Sequence, residues 1–360
     1  MNLQPVFTPD EKAAFKLRAL YRSRGYRPYN MSKFEEYDLY VRNKDFLVSD
    51  NVITFTDTNG RLMALKPDVT LSIIKNGTDG ADEKVYYTEN VYRVSKGTRS
   101  FKEIMQAGLE CIGTVDDYQI LEVLTLAAES LRSVSDRSVL DVSHLGIVSA
   151  VLEESGLSRT GAKEILSFLG EKNLHGALEV CAREKITPNA TQAIKTLFTT
   201  YGAPAEVLPA LEGISQGGTA ALDQLKRLTE ALNEAGIDTV RIDFSVINHM
   251  SYYNGIVFRG FVEGIPTGIL SGGQYDNLMK KLGRKDSAIG FAVYLDLLED
   301  LWEGEEYDTD TVLLYPEGAD PARVARKVAE LSADGERVSA LRTLPEKLIY
   351  RRVIRFGEEE

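Results

Sequence analysis

The chain has 360 residues, 43% apolar and 27% charged, with 42 basic against 54 acidic side chains and a formal charge of -12. That length fits two domains, or one large domain with an appendage, and a core that needs no metal or disulfide staple. The acidic balance argues against a dedicated nucleic-acid binder. Two cysteines, Cys111 and Cys181, exclude a disulfide scaffold and fit a reducing cytosol, and three scattered histidines, His144, His175 and His249, leave little for a zinc site.

The first predicted element is a helix. Thr8 caps it, Pro9 takes the first helical position, Phe15, Leu17, Leu20 and Tyr21 form its apolar side, and Gly25 ends it. Tyr26 to Tyr40 reads as an aromatic, extended segment. Strands follow at Val52–Phe55 and Leu62–Leu65 around Asn59-Gly60, a strong hairpin signal. A helix from about Val69 to Asn76 precedes a strand from Lys84 to Arg93, a basic loop from Val94 to Ser100, and a strand from Glu103 to Ile112. Asp116 to Arg132 is a helix. From about 157 to 236 strand signals vanish and Gly and Pro separate short helical pieces, so this stretch reads as a helical insertion. Strands return at Val240–Val246, Tyr252–Val262 and Thr267–Ser271, followed by helices at Tyr275–Leu282 and Phe291–Trp302. An acidic linker, Gly304–Asp310, leads to a strand at Thr311–Tyr315, a helix at Pro321–Ala333 and a strand at Arg337–Leu341. No apolar run approaches the roughly 20 residues of a membrane span. The N-terminus carries no basic-then-apolar leader and reads as the native start. A cytoplasmic protein without metal or cofactor is expected.

Three patterns carry chemistry. In Met105–Cys111, period 2 puts Met105, Ala107, Leu109 and Cys111 on one face and Gln106, Gly108 and Glu110 on the other. A glycine between an amide and a carboxylate suits the floor of a polar pocket, or equally a solvent-facing strand. Arg93, Lys96 and Arg99 around a glycine suit a phosphate or a solvated turn. Ser271-Gly272-Gly273-Gln274 places two glycines between a strand and a helix, where backbone can approach a ligand, but a lone Gly-Gly is a weak signal. His249 has no acid or cysteine at a useful spacing and reads as structural, and Cys111 reads as a buried thiol.

Together these segments resemble the histidyl-tRNA synthetase family. Val91-Tyr92-Arg93, the basic loop and Met105–Gly113 resemble its second signature motif. Leu65–Thr70 resembles its histidine-binding loop, with Lys66 where an arginine is usual. Ser251–Phe258 resembles its Tyr-Tyr motif, while Ser271–Asp276 and Ile289–Ala292 resemble the approach to its third motif. The matches span about 10 to 300 in order. The resemblance implies a mixed α/β (α+β) class II aminoacyl-tRNA synthetase-like domain over 1–304. It would have a mainly antiparallel sheet, a helical insertion at about 157–236, and a short C-terminal α/β segment at 311–360, less than a full anticodon-binding domain. It also implies histidine-binding roles for Asp68, Thr70, Gln106, Glu110, Tyr252, Tyr253, Gly272 and Gly273. Arg93 and Arg99 match phosphate-contacting arginines, here vestigial or serving an interface. The first-motif region implies a homodimer.

Three departures bear on activity. Asn248 stands where the family has a catalytic arginine, and Leu297 where the third-motif arginine clamps phosphates. Tyr294 replaces a small glycine, and its ring would intrude into nucleotide space. A kept amino-acid pocket beside a lost adenylation site resembles the regulatory subunits of ATP phosphoribosyltransferase. That resemblance implies a subunit without catalysis of its own, assembling with a short-form catalytic subunit in a hetero-octamer and taking part in histidine feedback. The alternatives are a degenerate synthetase that still activates an amino acid, and a synthetase-like tRNA-binding or stress-sensing module.

Overall fold

A computed structural model describes residues 7–42, 52–95, 98–247, 253–301, 307–333 and 335–357. Two compact units divide the chain, Met1–Leu301 and Trp302–Glu360. Helix α1, Pro9–Ser23, starts where Glu11 accepts a hydrogen bond from the Thr8 N–H at 3.0 Å, and it buries Ala13, Ala14, Leu17 and Tyr21. Next come β1 (Arg27–Pro28), β2 (Phe34–Glu36), α2 (Tyr37–Val41), β3 (Thr54–Thr56), β4 (Leu62–Leu65) and α3 (Thr70–Asn76). The aromatic stretch expected to stay extended therefore contains a helical turn. Burial of the whole Tyr40 side chain overrides its strand propensity.

The long hairpin β5 (Glu83–Val94) and β6 (Phe101–Gly113) is followed by α4, Asp117–Val134. Asp116 caps that helix through the N–H groups of Tyr118 and Gln119. Strand β7 (Ser138–His144) and helix α5 (Leu145–Glu154) occupy a stretch for which the sequence predicted no element. The 157–236 region holds α6 (Arg159–Gly170), α7 (Leu174–Arg183), α8 (Pro188–Thr199), α9 (Pro204–Val207) and α10 (Thr219–Glu234). It is not purely helical, because β8 (Tyr201–Gly202) pairs with the main sheet. Then follow β9 (Val240–Asp243), β10 (Ile256–Val262), β11 (Leu270–Gln274), α11 (Asp276–Lys281) and β12 (Ser287–Tyr294).

Three of these differ from expectation. Gly272 and Gly273 lie inside β11, not in a loop between strand and helix. Strand β10 begins at Ile256, not Tyr252. Phe291–Tyr294 is strand, and only the following Leu295–Leu301 turns as a 3-10 helix. That apolar run is covered on both faces, so it lacks the alternation that separates a strand from a buried helix.

Nine strands form the main sheet in the order β1-β5-β6-β12-β11-β10-β7-β9-β8. Its centre, from β5 to β7, is antiparallel throughout, whereas β1 against β5 and β9 against β7 are parallel. One face packs on α1 and α4 through Tyr86, Ala107, Leu109, Val142, Phe258 and Phe291. A second small sheet has the order β2-β4-β3. In the other unit, β13 (Thr309–Leu314) lies between β14 (Val338–Leu341) and β15 (Tyr350–Arg355), all parallel, with α12 spanning Pro321–Ala333. The strand-helix-strand reading of this unit thus gains a third strand.

Candidate functional site: a polar cavity on one sheet face

Strand register gathers the site. Across the sheet, Glu110 on β6 pairs with Gly290 on β12, and Gly290 with Gly273 on β11. One row along, Gly108, Ala292, Ser271 and Arg259 are likewise consecutive partners, and Gln106 pairs with Tyr294. Residues two apart share a face, so these side chains all stand on the face opposite α1 and α4. A cavity of about 430 Å³ lies over them, within the roughly 300–1,000 Å³ of small-molecule sites.

Its acidic end is built from the sequence upward. Glu110 is 2% exposed. Its Oε1 accepts from the Thr70 hydroxyl and its Oε2 from the Tyr275 hydroxyl, both at 2.6 Å. Burial pushes its carboxyl up to about 8, with Asp68 adding repulsion, although the two hydroxyl hydrogen bonds favour the ion. Gly290 makes room for this carboxylate, because a Cβ there would collide with Glu110 Oε2. Asp68 stands at the head of α3, its Oδ1 accepting from the Leu71 N–H at 2.9 Å. Burial raises its carboxyl as well, against the Leu71 N–H and the nearby Arg93 charge. The loop carrying Asp68 is pinned to β5. Arg93 Nε donates to the Pro67 carbonyl at 3.0 Å, and the fully buried Lys66 pairs with Glu89 at 2.6 Å.

Gln106, 3% exposed, stands on the cavity wall four residues along β6 from Glu110. Its side-chain amide has no hydrogen-bond partner among the described residues, which leaves two donors and an acceptor for a ligand. Burial holds the Tyr87 and Tyr253 hydroxyls far above the ordinary phenol range, so both stay protonated. The room expected above Gly108 is taken by the Tyr87 ring.

Asp68, Thr70, Gln106, Glu110, Tyr253, Gly272 and Arg93 all line the cavity. Gly272 contributes backbone only, since its Cβ direction meets the Gly290 carbonyl, Phe291 Cβ and the Phe258 ring. Gly273 is not among the lining residues, and the Tyr253 ring packs over it. Arg99 is exposed in the β5–β6 loop at φ 55°, away from the cavity. Leu297 lines the cavity and packs on the core, and the Tyr294 hydroxyl meets Ser271 Oγ at 3.1 Å. Tyr252, Asn248 and His249 lie outside the described residues. Cys111 is buried on the helix side, and burial raises its thiol to about 11, an inert setting.

Sequence reasoning missed Tyr87, Tyr275, Arg259 and Asp296, which also line the cavity. Tyr87 was findable. The hairpin closes with Val94 opposite Phe101, and counting back puts Tyr87 opposite Gly108. Arg259 had no local signal, because its place depends on pairing between distant strands.

A model of the histidyl-tRNA synthetase family matches residues 4–298. The chain belongs to that family. It is 25% identical over 317 residues to the ATP phosphoribosyltransferase regulatory subunit of Acetivibrio thermocellus, covering 84% of this chain and 76% of that one. Among solved structures, it is similar to an ATP phosphoribosyltransferase regulatory subunit/histidyl-tRNA synthetase from Bacillus halodurans C, with TM-score 0.77, 25% identity and coverage of 96% and 93%. A chain of the ATP phosphoribosyl transferase (HisG:HisZ) complex from Thermotoga maritima shares the fold, with TM-score 0.64, 20% identity and coverage of 79% and 97%. The class II synthetase-like fold expected from the motifs is therefore present. Among the described residues, no helix is long and apolar enough to cross a membrane.

Proposed function

We propose that this chain is a regulatory subunit of ATP phosphoribosyltransferase without catalysis of its own. In this reading it activates a short-form catalytic subunit and contributes to feedback inhibition by histidine in histidine biosynthesis. The names of its relatives support the assignment, and the fold shared with the Thermotoga maritima complex supports a protein partner. The observation that carries the reading is an asymmetry inside one cavity. Asp68, Gln106 and Glu110 line the cavity, a polar set that supports an amino-acid ligand, while Leu297 at the third-motif position is apolar.

Amino-acid activation concentrates negative charge on a triphosphate, and fixed cations must meet it. Losing one such donor costs roughly 3 kcal/mol, or about 100- to 1000-fold in rate. With Leu297 and Asn248 both at arginine positions, adenylation is not expected. Histidine would place its ammonium and ring among Asp68, Gln106 and Glu110, with Thr70 and Tyr253 beside them. The assembly is a hetero-octamer built on a homodimer of this chain.

Mixing the purified chain with a short-form catalytic subunit tests the reading. Co-elution and a rise in phosphoribosyltransferase activity that histidine reverses are expected, and absence of both complex and activation overturns it. Histidine-dependent pyrophosphate exchange separates the degenerate-synthetase alternative, and a clear exchange rate would replace this assignment with an enzyme.

A further inference from the structure

A free amino acid brings a carboxylate as well as an ammonium, and a buried carboxylate needs a cationic partner. Among the described residues, two cations line the cavity, Arg93 and Arg259. Arg93 is engaged at the acidic end, donating to the Pro67 carbonyl and facing Asp68. Arg259 stands elsewhere. It is the β10 member of the row Gly108–Ala292–Ser271–Arg259, in which Ala292 and Ser271 give the cavity a floor of small side chains and Gly108 lies under the Tyr87 ring. Glu110 is three strands away on β6, roughly 14 Å across the sheet at about 4.8 Å per strand.

The Arg259 side chain is lightly held. It donates to Thr267 Oγ1 at 3.3 Å, lies over the Phe261 ring at 5.4 Å and crosses the open face of Gly268. Asp141, its register neighbour on β7, feels its charge, but no carboxylate forms an ion pair with Arg259 among the described residues. The cavity thus has an acidic end, a floor of small residues and, at the far side, a guanidinium that has no ion-pair partner among the described residues.

We propose that Arg259 receives the α-carboxylate of the bound amino acid, taking the charge that Asn248 cannot supply. The assignment rests on the amino-acid reading of the cavity above. It makes Arg259 the residue that distinguishes an amino acid from the corresponding amine.

Calorimetry on the full-length chain with L-histidine and with histamine, which lacks the carboxylate, tests this. Wild type is expected to prefer histidine by roughly ten- to hundredfold, the range of one charge-assisted hydrogen bond. Arg259→Gln should lose that preference while histamine affinity stays unchanged. Arg259→Lys should retain part of it, because the charge persists without the two-pronged geometry. Gly268→Ala, which crowds the Arg259 side chain without removing its charge, should weaken histidine more than histamine. Equal wild-type affinity for the two ligands overturns the assignment, as does a preference that survives in Arg259→Gln. A preference lost only in Arg93→Gln overturns it in favour of Arg93. If wild type binds neither ligand, the amino-acid reading itself falls. Matching thermal melts of the variants exclude misfolding as the cause of any loss.

Discussion

Glu110 is a carboxyl group in a place that disfavours its charge, and this has a measurable sign. Its folded pKa of about 8 lies above the ordinary 4.5. Unfolding near neutral pH therefore releases a proton, and stability falls as pH rises from about 4.5 through 8. Asp141, raised to about 6, acts with the same sign but is spent by that pH, and the lowered His144 acts in the opposite sense below its ordinary 6.5. Asp68 and Cys111, both raised by burial, act with the same sign, so over pH 7 to 8.5 it is the difference between wild type and a Glu110 variant that reports this group. Urea unfolding should show wild type losing stability over that interval and Glu110→Gln losing much less. An identical slope in both would place the titration elsewhere. Gly290→Ala offers a second probe at this scale, because its methyl enters the space of the Glu110 carboxylate. A loss of about 1–3 kcal/mol is expected by denaturation, typical of forced overpacking.

The loop before α3 is an element held from outside itself. Fully buried Lys66 pairs with Glu89 on β5, and the Tyr92 N–H donates to the Lys66 carbonyl at 2.9 Å. Glu89→Gln leaves a buried ammonium without its counter-charge. It should cost about 3–5 kcal/mol by urea denaturation and release Asp68 from the cavity wall. At this scale the sequence was legible wherever signals were local. The capped start of α1, the Asn59-Gly60 hairpin and the two faces of β6 all follow from neighbours in the chain. What escaped was set by distant partners. Strand β12 reads as a helix because β6, β11 and packing on both faces hide its period. Strand β7 joins the sheet through β10 and β9, neither of them near in sequence. Site residues divide the same way. Gln106 and Glu110 show in the alternation of β6 and Tyr87 in the count along the hairpin, whereas Arg259 emerges only once distant strands are laid side by side.

At the level of the whole molecule, every residue lining the cavity falls between Asp68 and Leu297, inside the unit Met1–Leu301. A chain ending at Leu301 should therefore keep its ligand affinity, measured by calorimetry against the full-length protein. A drop in affinity would mean that Trp302–Glu360 contributes to the cavity. The acidic balance of -12, first a statement about nucleic acid, also fits the cavity, where Asp68, Glu110 and Asp296 outnumber Arg93 and Arg259. The parity of the strands carries one more consequence. Glu110, Gly290, Ser271 and Arg259 meet only because each occupies the same phase of a two-residue cycle. Leu109, Phe291 and Phe258 occupy the other phase and belong to the core. Binding chemistry and hydrophobic core are thus interleaved like two messages on one tape. Deleting a single residue from β6 or β12 would exchange them, sending the carboxylate inward and the aromatic ring outward. Length variation that preserves function is confined to the turns between these strands.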